Sequence, residues 1–252
     1  MTDTPNLTEA LDHLAAAETL LVCLDFDGTI AEIVTDAGTA RAHPDALRAM
    51  KQLSRLPRTE VAVLSGRHLD GLRSVLPLDD PVVLVGSHGA EPTRGAAPLT
   101  PGDNAYLSRV QERLEALAEP PAFVEVKPYQ RVFHVAAVAE RDPDHARMLL
   151  ARAIEADAEG RPVTEGHNLV EFSALDITKG HWLATRKRNF ATTLFAGDDA
   201  TDETALAQLG PGDIGIKVGE KPSIAPLRIG SVAEMARFLT RLADARRAAT
   251  QH

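Results

Sequence analysis

The chain has 252 residues, 44% of them apolar and 25% charged, with a formal charge of -9 at pH 7, which describes an ordinary globular protein of one large or two smaller domains. The acidic balance and the lack of long basic runs argue against a nucleic-acid or anionic-membrane partner. No apolar stretch approaches the roughly 20 residues that span a bilayer, and the start MTDTPNLTEALDHL lacks the basic-then-apolar order of a signal peptide, so a cytoplasmic location is expected.

Asn6, followed three residues later by Glu9, predicts a capped helix with Leu7, Leu11 and Leu14 on one face. LLVCLDF then reads as a buried strand, and its Cys23 as a structural thiol, since a reactive one needs an exposed electropositive setting. HPDALRAMKQLSRL predicts a helix with Pro44 in its first turn, EVAVLSG a strand, RHLDGLRSVL a helix and VVLVGSHG a strand. Towards the other end TTLFAGDD is a strand, TDETALAQL a helix and DIGIKVG a strand. A last helix, VAEMARFLTRLADARR, is capped by Ser231 and Glu234, with the alanine-rich tail beyond Arg246 expected to fray. Strands that are apolar throughout and alternate with helices predict an α/β domain with a Rossmann-like parallel sheet covered on both faces.

The middle of the chain breaks the alternation. TRGAAPLTPG, from about Thr93 to Gly102, is rich in Pro and Gly and reads as a linker. YLSRVQERLEALAE and ARMLLARAIEA are helical, AFVEVKPYQRVFHVAAVAE is two strands joined by a turn at Pro128 and Tyr129, and LVEFSA is a further strand. Adjacent strands with grouped helices predict a small α+β domain, residues 99–175, inserted between the two parts of the α/β domain, 1–98 and 176–252.

In an open parallel sheet, ligands bind beyond the carboxyl ends of the strands. Asp25 and Asp27 follow the first strand, Ser65 the second, His88 the third, and Asp198 and Asp199 a later one. Two acidic turns at equivalent strand ends repel each other unless a cation compensates. A hard divalent ion does so, and Mg2+ held by Asp25, the main-chain carbonyl of Asp27 and Asp198 is the expected metal site. Asp25 is placed as a nucleophile towards phosphorus, and Asp27 as the acid that protonates the leaving oxygen and then the base that deprotonates water. Thr29, Ser65, Gly66 and Lys179 are the expected phosphate contacts, with Lys179 also offering its charge to Asp25. Arg67 and His88, on the same edge, are expected to touch substrate. Asp199 and Asp202 either bind the metal or orient its waters and Lys179 from behind; the taste of Mg2+ for water favours the second.

In this order DFDGT, VLSGR, Lys179 and GDDATDE resemble the four motifs of the haloacid dehalogenase superfamily of phosphotransferases, and the second aspartate of the first motif implies phosphatase or mutase chemistry. More narrowly, GSHGAE, VEVK at 124–127, LVEF followed by TKG, and above all GDDATDE resemble the trehalose-6-phosphate phosphatase family over roughly residues 20–220. The resemblance implies a Mg2+-dependent hydrolase of trehalose biosynthesis, acting on a small sugar phosphate, with the insert as a mobile cap of the C2B type. Carried onto this sequence, the sugar contacts of that cap are Glu125, Lys127, His134 and Glu171. One departure is HVAA from His134, where the family often has His-Tyr-Arg, so Val135 and Ala136 remove a polar contact. A phosphatase of sucrose 6-phosphate or a glycosyl phosphoglycerate, a phosphomutase, and a silent regulatory module of a trehalose-synthesising partner stay open as alternatives. The residues leave the oligomeric state open and are compatible with a monomer.

Overall fold

The computed structural model describes residues 6–93, 95–155 and 159–250. Arg94 of the expected linker and Ala156 at the end of an expected helix lie outside them. The chain runs α1 (Leu7–Ala16), β1 (Leu20–Leu24), α2 (Pro44–Leu53), β2 (Thr59–Leu64), α3 (Leu69–Val75), β3 (Val83–Gly86) and the two-residue β4 (Glu91–Pro92). It continues through α4 (Pro101–Leu117), β5 (Phe123–Val126), β6 (Gln130–His134), α5 (Ala136–Ala139), α6 (Pro143–Glu155), β7 (Val163–Gly166) and β8 (Leu169–Ser173). The last elements are α7 (Lys179–Arg186), β9 (Thr192–Gly197), α8 (Ala200–Leu206), β10 (Ile214–Val218), β11 (Leu227–Ile229) and α9 (Val232–Thr250).

The chain divides into two compact units, one joining the residues up to Ala96 with those from Ile177 onward, the other Ala97–Asp176. The first unit is built on a seven-stranded sheet in the order β11-β10-β9-β1-β2-β3-β4, parallel except for β4. Its central strand β1 is buried along its whole length because both faces are covered. Leu20, Val22 and Leu24 enter one core cluster with residues of α1, α2 and α9, while Leu21 and Cys23 enter another with Leu183 of α7 and Ala205 and Leu206 of α8. This is the period-two alternation of a strand, and each fully buried leucine contributes about 1.5–3 kcal/mol. In the sheet β1 lies between β2 and β9: the chain winds outward from β1 through β2 to β3 and later returns to its other side through β9 to β11, so the direction of winding reverses at β1. That reversal opens a crevice at the carboxyl ends of β1, β2 and β9.

The second unit is a four-stranded antiparallel sheet, β5-β6-β8-β7, with α4, α5 and α6 packed on one face through Tyr106, Val110, Leu114, Leu149, Phe133 and Phe172.

Several expectations are corrected. The linker ends at Thr100, because Thr100 and Asp103 form a capping box with Pro101 at the first helical position, so Pro101 and Gly102 belong to α4. The strand read through HVAAVAE stops at His134 and turns into α5. The helix expected to fray beyond Arg246 continues to Thr250, since Arg246 is buried and donates to the carbonyls of Ala15, Ala17 and Arg58 and to Thr59 Oγ1. Of the expected capping pair, Ser231 Oγ accepts from the Glu234 N–H, while the Glu234 side chain reaches back to the N–H of Gly230, one residue beyond Ser231.

Candidate active site

The site of the first unit is assembled from strand ends. The N–H of Asp25 extends the β1 ladder by donating to the Ala196 carbonyl at 2.9 Å, which fixes the direction of its side chain as the strand gives way to a turn. Oδ1 of Asp25 accepts from Lys179 Nζ at 2.6 Å, and Oδ2 accepts from the buried Thr29 hydroxyl at 3.3 Å. Lys179 also donates to Asp202 Oδ1 at 2.7 Å and is only 3% exposed. Its position depends on the next residue: a Cβ on Gly180 would meet the Thr204 carbonyl at 2.3 Å, so only glycine lets α7 close onto α8 here.

Asp202 is fully buried. Its second oxygen, Oδ2, accepts from the N–H groups of Asp198 and Asp199 at 3.0 and 2.9 Å, closing the turn at the start of α8. Asp25, Asp198 and Asp202 each bring a carboxylate oxygen within 4.8 Å of the others, a convergence of hard oxygen donors that suits a divalent cation. The Asp25 carboxyl is pushed up to about 8 by burial and then by Asp202, against the opposing charge of Lys179. Burial works against the Lys179 ammonium, but Asp202 and Asp25 outweigh it and hold its pKa above the ordinary lysine range. Asp198 is raised by burial, with Lys221 opposing. Burial of these carboxylates together disfavours their joint ionisation, a cost that a divalent cation would relieve.

Gly28, at φ +78°, completes the turn after Asp27, and a Cβ there would fall 2.3 Å from the Asp198 carboxyl carbon. Asp27 itself is held by Arg67: Nε donates to Oδ2 and Nη2 to Oδ1, both at 2.7 Å, while Nη1 donates to the Ala37 carbonyl at 2.7 Å. Arg67, read as a substrate contact, thus spends its guanidinium on Asp27 and on the segment after the first motif. Ser65 is buried, and its Oγ accepts from the Arg67 N–H at 3.1 Å. Gly66 leaves room for the His88 ring, which would lie 2.5 Å from a Cβ, and His88 takes the left-handed conformation at φ 54°.

Asp199 is half exposed and pairs with Lys221 at 2.9 Å; that bond lowers its pKa although burial works the other way. Lys221, which also approaches Asp198 at 3.4 Å, was not singled out from the sequence. The rule that found the others applies to it, since GEK directly follows β10. Gly28, Asp198, Gly219, Lys221 and Ser231 line an open cleft of about 300 Å³ beside the acidic cluster.

The remaining expected residues form a cluster within the second unit. Lys127 Nζ donates to Glu171 Oε2 at 3.1 Å and lies 4.0 Å from Glu125 Oε2. The His134 Nε2 is 2.9 Å from Glu125 Oε2, and its ring stacks on Phe123 at 4.7 Å. The register explains the gathering, since Glu125 and Glu171 both lie opposite Val132 on the same face of the sheet.

The trehalose-phosphatase family model matches residues 23–238. A trehalose-phosphate phosphatase of Mycolicibacterium paratuberculosis is 32% identical over 272 residues, covering 97% of this chain and 68% of the relative. One of Mycobacterium ulcerans is 29% identical over 265 residues, covering 94% and 66%, so the chain spans about two thirds of the length of these relatives. Among solved structures, the trehalose-6-phosphate phosphatase C-terminal domain of C. albicans superposes with a TM-score of 0.79 at 18% identity, covering 95% of this chain and 97% of that one. The C-terminal domain of the Candida albicans trehalose synthase regulatory protein gives 0.75 at 15%, covering 94% and 98%. The two superpositions show the fold, and the family match covers the segments that carry Asp25, Lys179 and Asp202. The chain belongs to the trehalose-phosphatase family.

Proposed function

We propose that the protein hydrolyses trehalose 6-phosphate to trehalose and inorganic phosphate through a phospho-aspartate. The observation that carries this reading is Asp25, gripped by Lys179 and Thr29 within a buried acidic cluster, in a chain of this family. Asp25 attacks phosphorus in line, the bond from phosphorus to the sugar oxygen breaks, and Asp27 delivers its proton to that oxygen. Water then attacks the phospho-aspartate, Asp27 takes the proton, and the bond from phosphorus to Asp25 breaks. Asp27 can act as the acid only after leaving Arg67, whose two donors occupy both of its oxygens in the resting arrangement. Lys179, Thr29, Ser65 and the backbone around Gly66 hold phosphoryl oxygens.

Asp25, Asp198 and the Asp27 carbonyl are the residues that would hold Mg2+, which when bound supplies positive charge against the phosphoryl oxygens. Asp202 orients from behind, because both its oxygens are already engaged. The second unit acts as a cap, hinged near residues 95–100 and 174–176, that excludes bulk water. Its Glu125, Lys127, His134 and Glu171 supply directional hydrogen bonds to sugar hydroxyls. Among the described residues no helix is long and apolar enough to cross a membrane, which fits an enzyme of soluble sugar phosphates in the cytoplasm.

The fold alone does not separate a hydrolase from a regulatory module, since a regulatory protein has it too; the Asp25 cluster favours the hydrolase. The test is Mg2+-dependent phosphate release from trehalose 6-phosphate, compared by kcat/KM with sucrose 6-phosphate and glucose 6-phosphate, for wild type and Asp25→Asn. A preference of at least about a hundredfold for the trehalose ester, lost in the variant, supports the reading. Equal turnover of all three removes the substrate, and no turnover removes the enzyme.

A further inference from the structure

The second unit contains a buried polar group whose hydrogen-bonding capacity is unused. Gln130 is 4% exposed, yet its carboxamide oxygen Oε1 has no hydrogen-bond partner. Native proteins rarely tolerate such an atom without a use for it.

The strand register fixes where the side chain points. The N–H of Lys127 donates to the Gln130 carbonyl at 3.0 Å across the turn at Pro128 and Tyr129, and Gln130 lies opposite Ser173 of β8. The next row on that face is Glu125, Val132 and Glu171, and the row after it Phe123, His134 and Leu169. Phe133, Val170 and Phe172 point the other way, into the helix-covered core. Gln130 therefore stands on the same face as Lys127, Glu125, Glu171 and His134. The Lys127–Glu171 ion pair crosses β6 diagonally between the positions of Gln130 and Val132.

Three side chains on this face carry acceptor oxygens: Glu125, Gln130 and Glu171. Glu125 and Glu171 offer only acceptors, and the Lys127 ammonium is engaged with Glu171. The complement of such a face is a molecule dense in O–H donors, which describes a polyhydroxylated sugar. We propose that Gln130 positions substrate and sets specificity, its Oε1 accepting a hydrogen bond from a hydroxyl of the sugar phosphate; this rests on the function proposed above.

The test uses Gln130→Met, the closest apolar isostere, and Gln130→Leu as a second variant. Three quantities are read: kcat/KM for trehalose 6-phosphate, the inhibition constant of inorganic phosphate as a probe that carries no sugar, and Tm. Loss of one uncharged hydrogen bond is expected to lower kcat/KM for the sugar ester on the order of tenfold. Phosphate inhibition should stay within about twofold, and Tm should hold or rise, because an apolar isostere removes the unpaired dipole. Unchanged sugar-ester kinetics in the folded variants overturn the assignment. So does a loss shared by phosphate inhibition together with a lower Tm, the pattern of a structural role. If the wild-type protein releases phosphate from no sugar ester, the functional reading falls and this one with it; if it does so and the variants match it, only the Gln130 assignment falls.

Discussion

Without metal, the protein should lose stability as pH rises, and Asp25 should be the cause. Its carboxyl titrates near 8 in the folded state, against 3.8 for an unperturbed aspartate. A folded pKa above the unfolded one means that the native state keeps a proton which the unfolded chain has released. The stabilisation is therefore fully present below pH 3.8 and is lost as pH rises through 8. Between pH 5 and pH 8 the loss is about 3–4 kcal/mol, from 1.36 kcal/mol per pH unit. For a chain of this size that corresponds to a fall in Tm of about 10 °C. Asp25→Asn abolishes this titration, so in EDTA the variant should become progressively more stable than wild type as pH rises from 5 to 8. Mg2+ at a hundred times its Kd at pH 8 should restore about 2.7 kcal/mol to wild type there, less at the same concentration at low pH, and little to the variant. Thermal melts across pH, with EDTA or Mg2+, measure both effects. Parallel melting curves for the two proteins across pH, or a variant that is less stable at pH 8, would refute the argument that burial, reinforced by Asp202 and Asp198, holds the Asp25 carboxyl up.

Gly28→Ala places a Cβ against the Asp198 carboxylate and strains a positive φ, so isothermal titration should show Mg2+ affinity reduced at least tenfold, a loss of about 1.4 kcal/mol. Arg67→Ala frees Asp27 from its clamp, and the ratio of turnover between trehalose 6-phosphate and 4-nitrophenyl phosphate should shift, since only the poorer leaving group needs a proton from Asp27; an unchanged ratio would detach Arg67 from that step. Lys127→Met removes the partner of Glu171 in the second unit, and KM for the sugar ester should rise on the order of tenfold while inhibition by inorganic phosphate stays constant. Cys23 is buried in β1 and burial pushes its thiol far above the ordinary range, so a thiol reagent should label it only after denaturant unfolds the chain.

The parts of this molecule that the sequence announces are those in which one residue type can do the work locally. Central strands are legible because a sheet covered on both faces needs unbroken apolar runs, as in LLVCL and TTLFAG. The first helix is legible because Asn6 and Glu9 satisfy each other's backbone partners. What is not legible is short and peripheral. Strand β7, with Thr164 and Glu165 exposed, shows no apolar run, and the three-residue β11 is an edge strand that follows a proline-rich loop. The acidic turns could be read from position alone, but their wiring could not: that Arg67 takes Asp27, that Lys221 takes Asp199, and that Gln130 Oε1 is left without a partner follow from contacts between residues far apart in the chain.

Asp202 shows why the fourth motif needs an acid at this spacing. From the first turn of α8 its side chain folds back over the residues that precede the helix, where Oδ2 takes the two N–H groups left without intrahelical partners. That fixes the backbone of Asp198, and with it the direction of the carboxylate that faces Asp25. Oδ1 takes Lys179, and through it the same aspartate sets the charge that grips Asp25. An asparagine would offer one acceptor oxygen to three donors and turn its own N–H groups on the rest. The carboxylates of Asp198 and Asp25 are thus aligned by one buried side chain. An acid at 202 therefore holds Lys179, Asp198 and Asp199 together with both of its oxygens engaged.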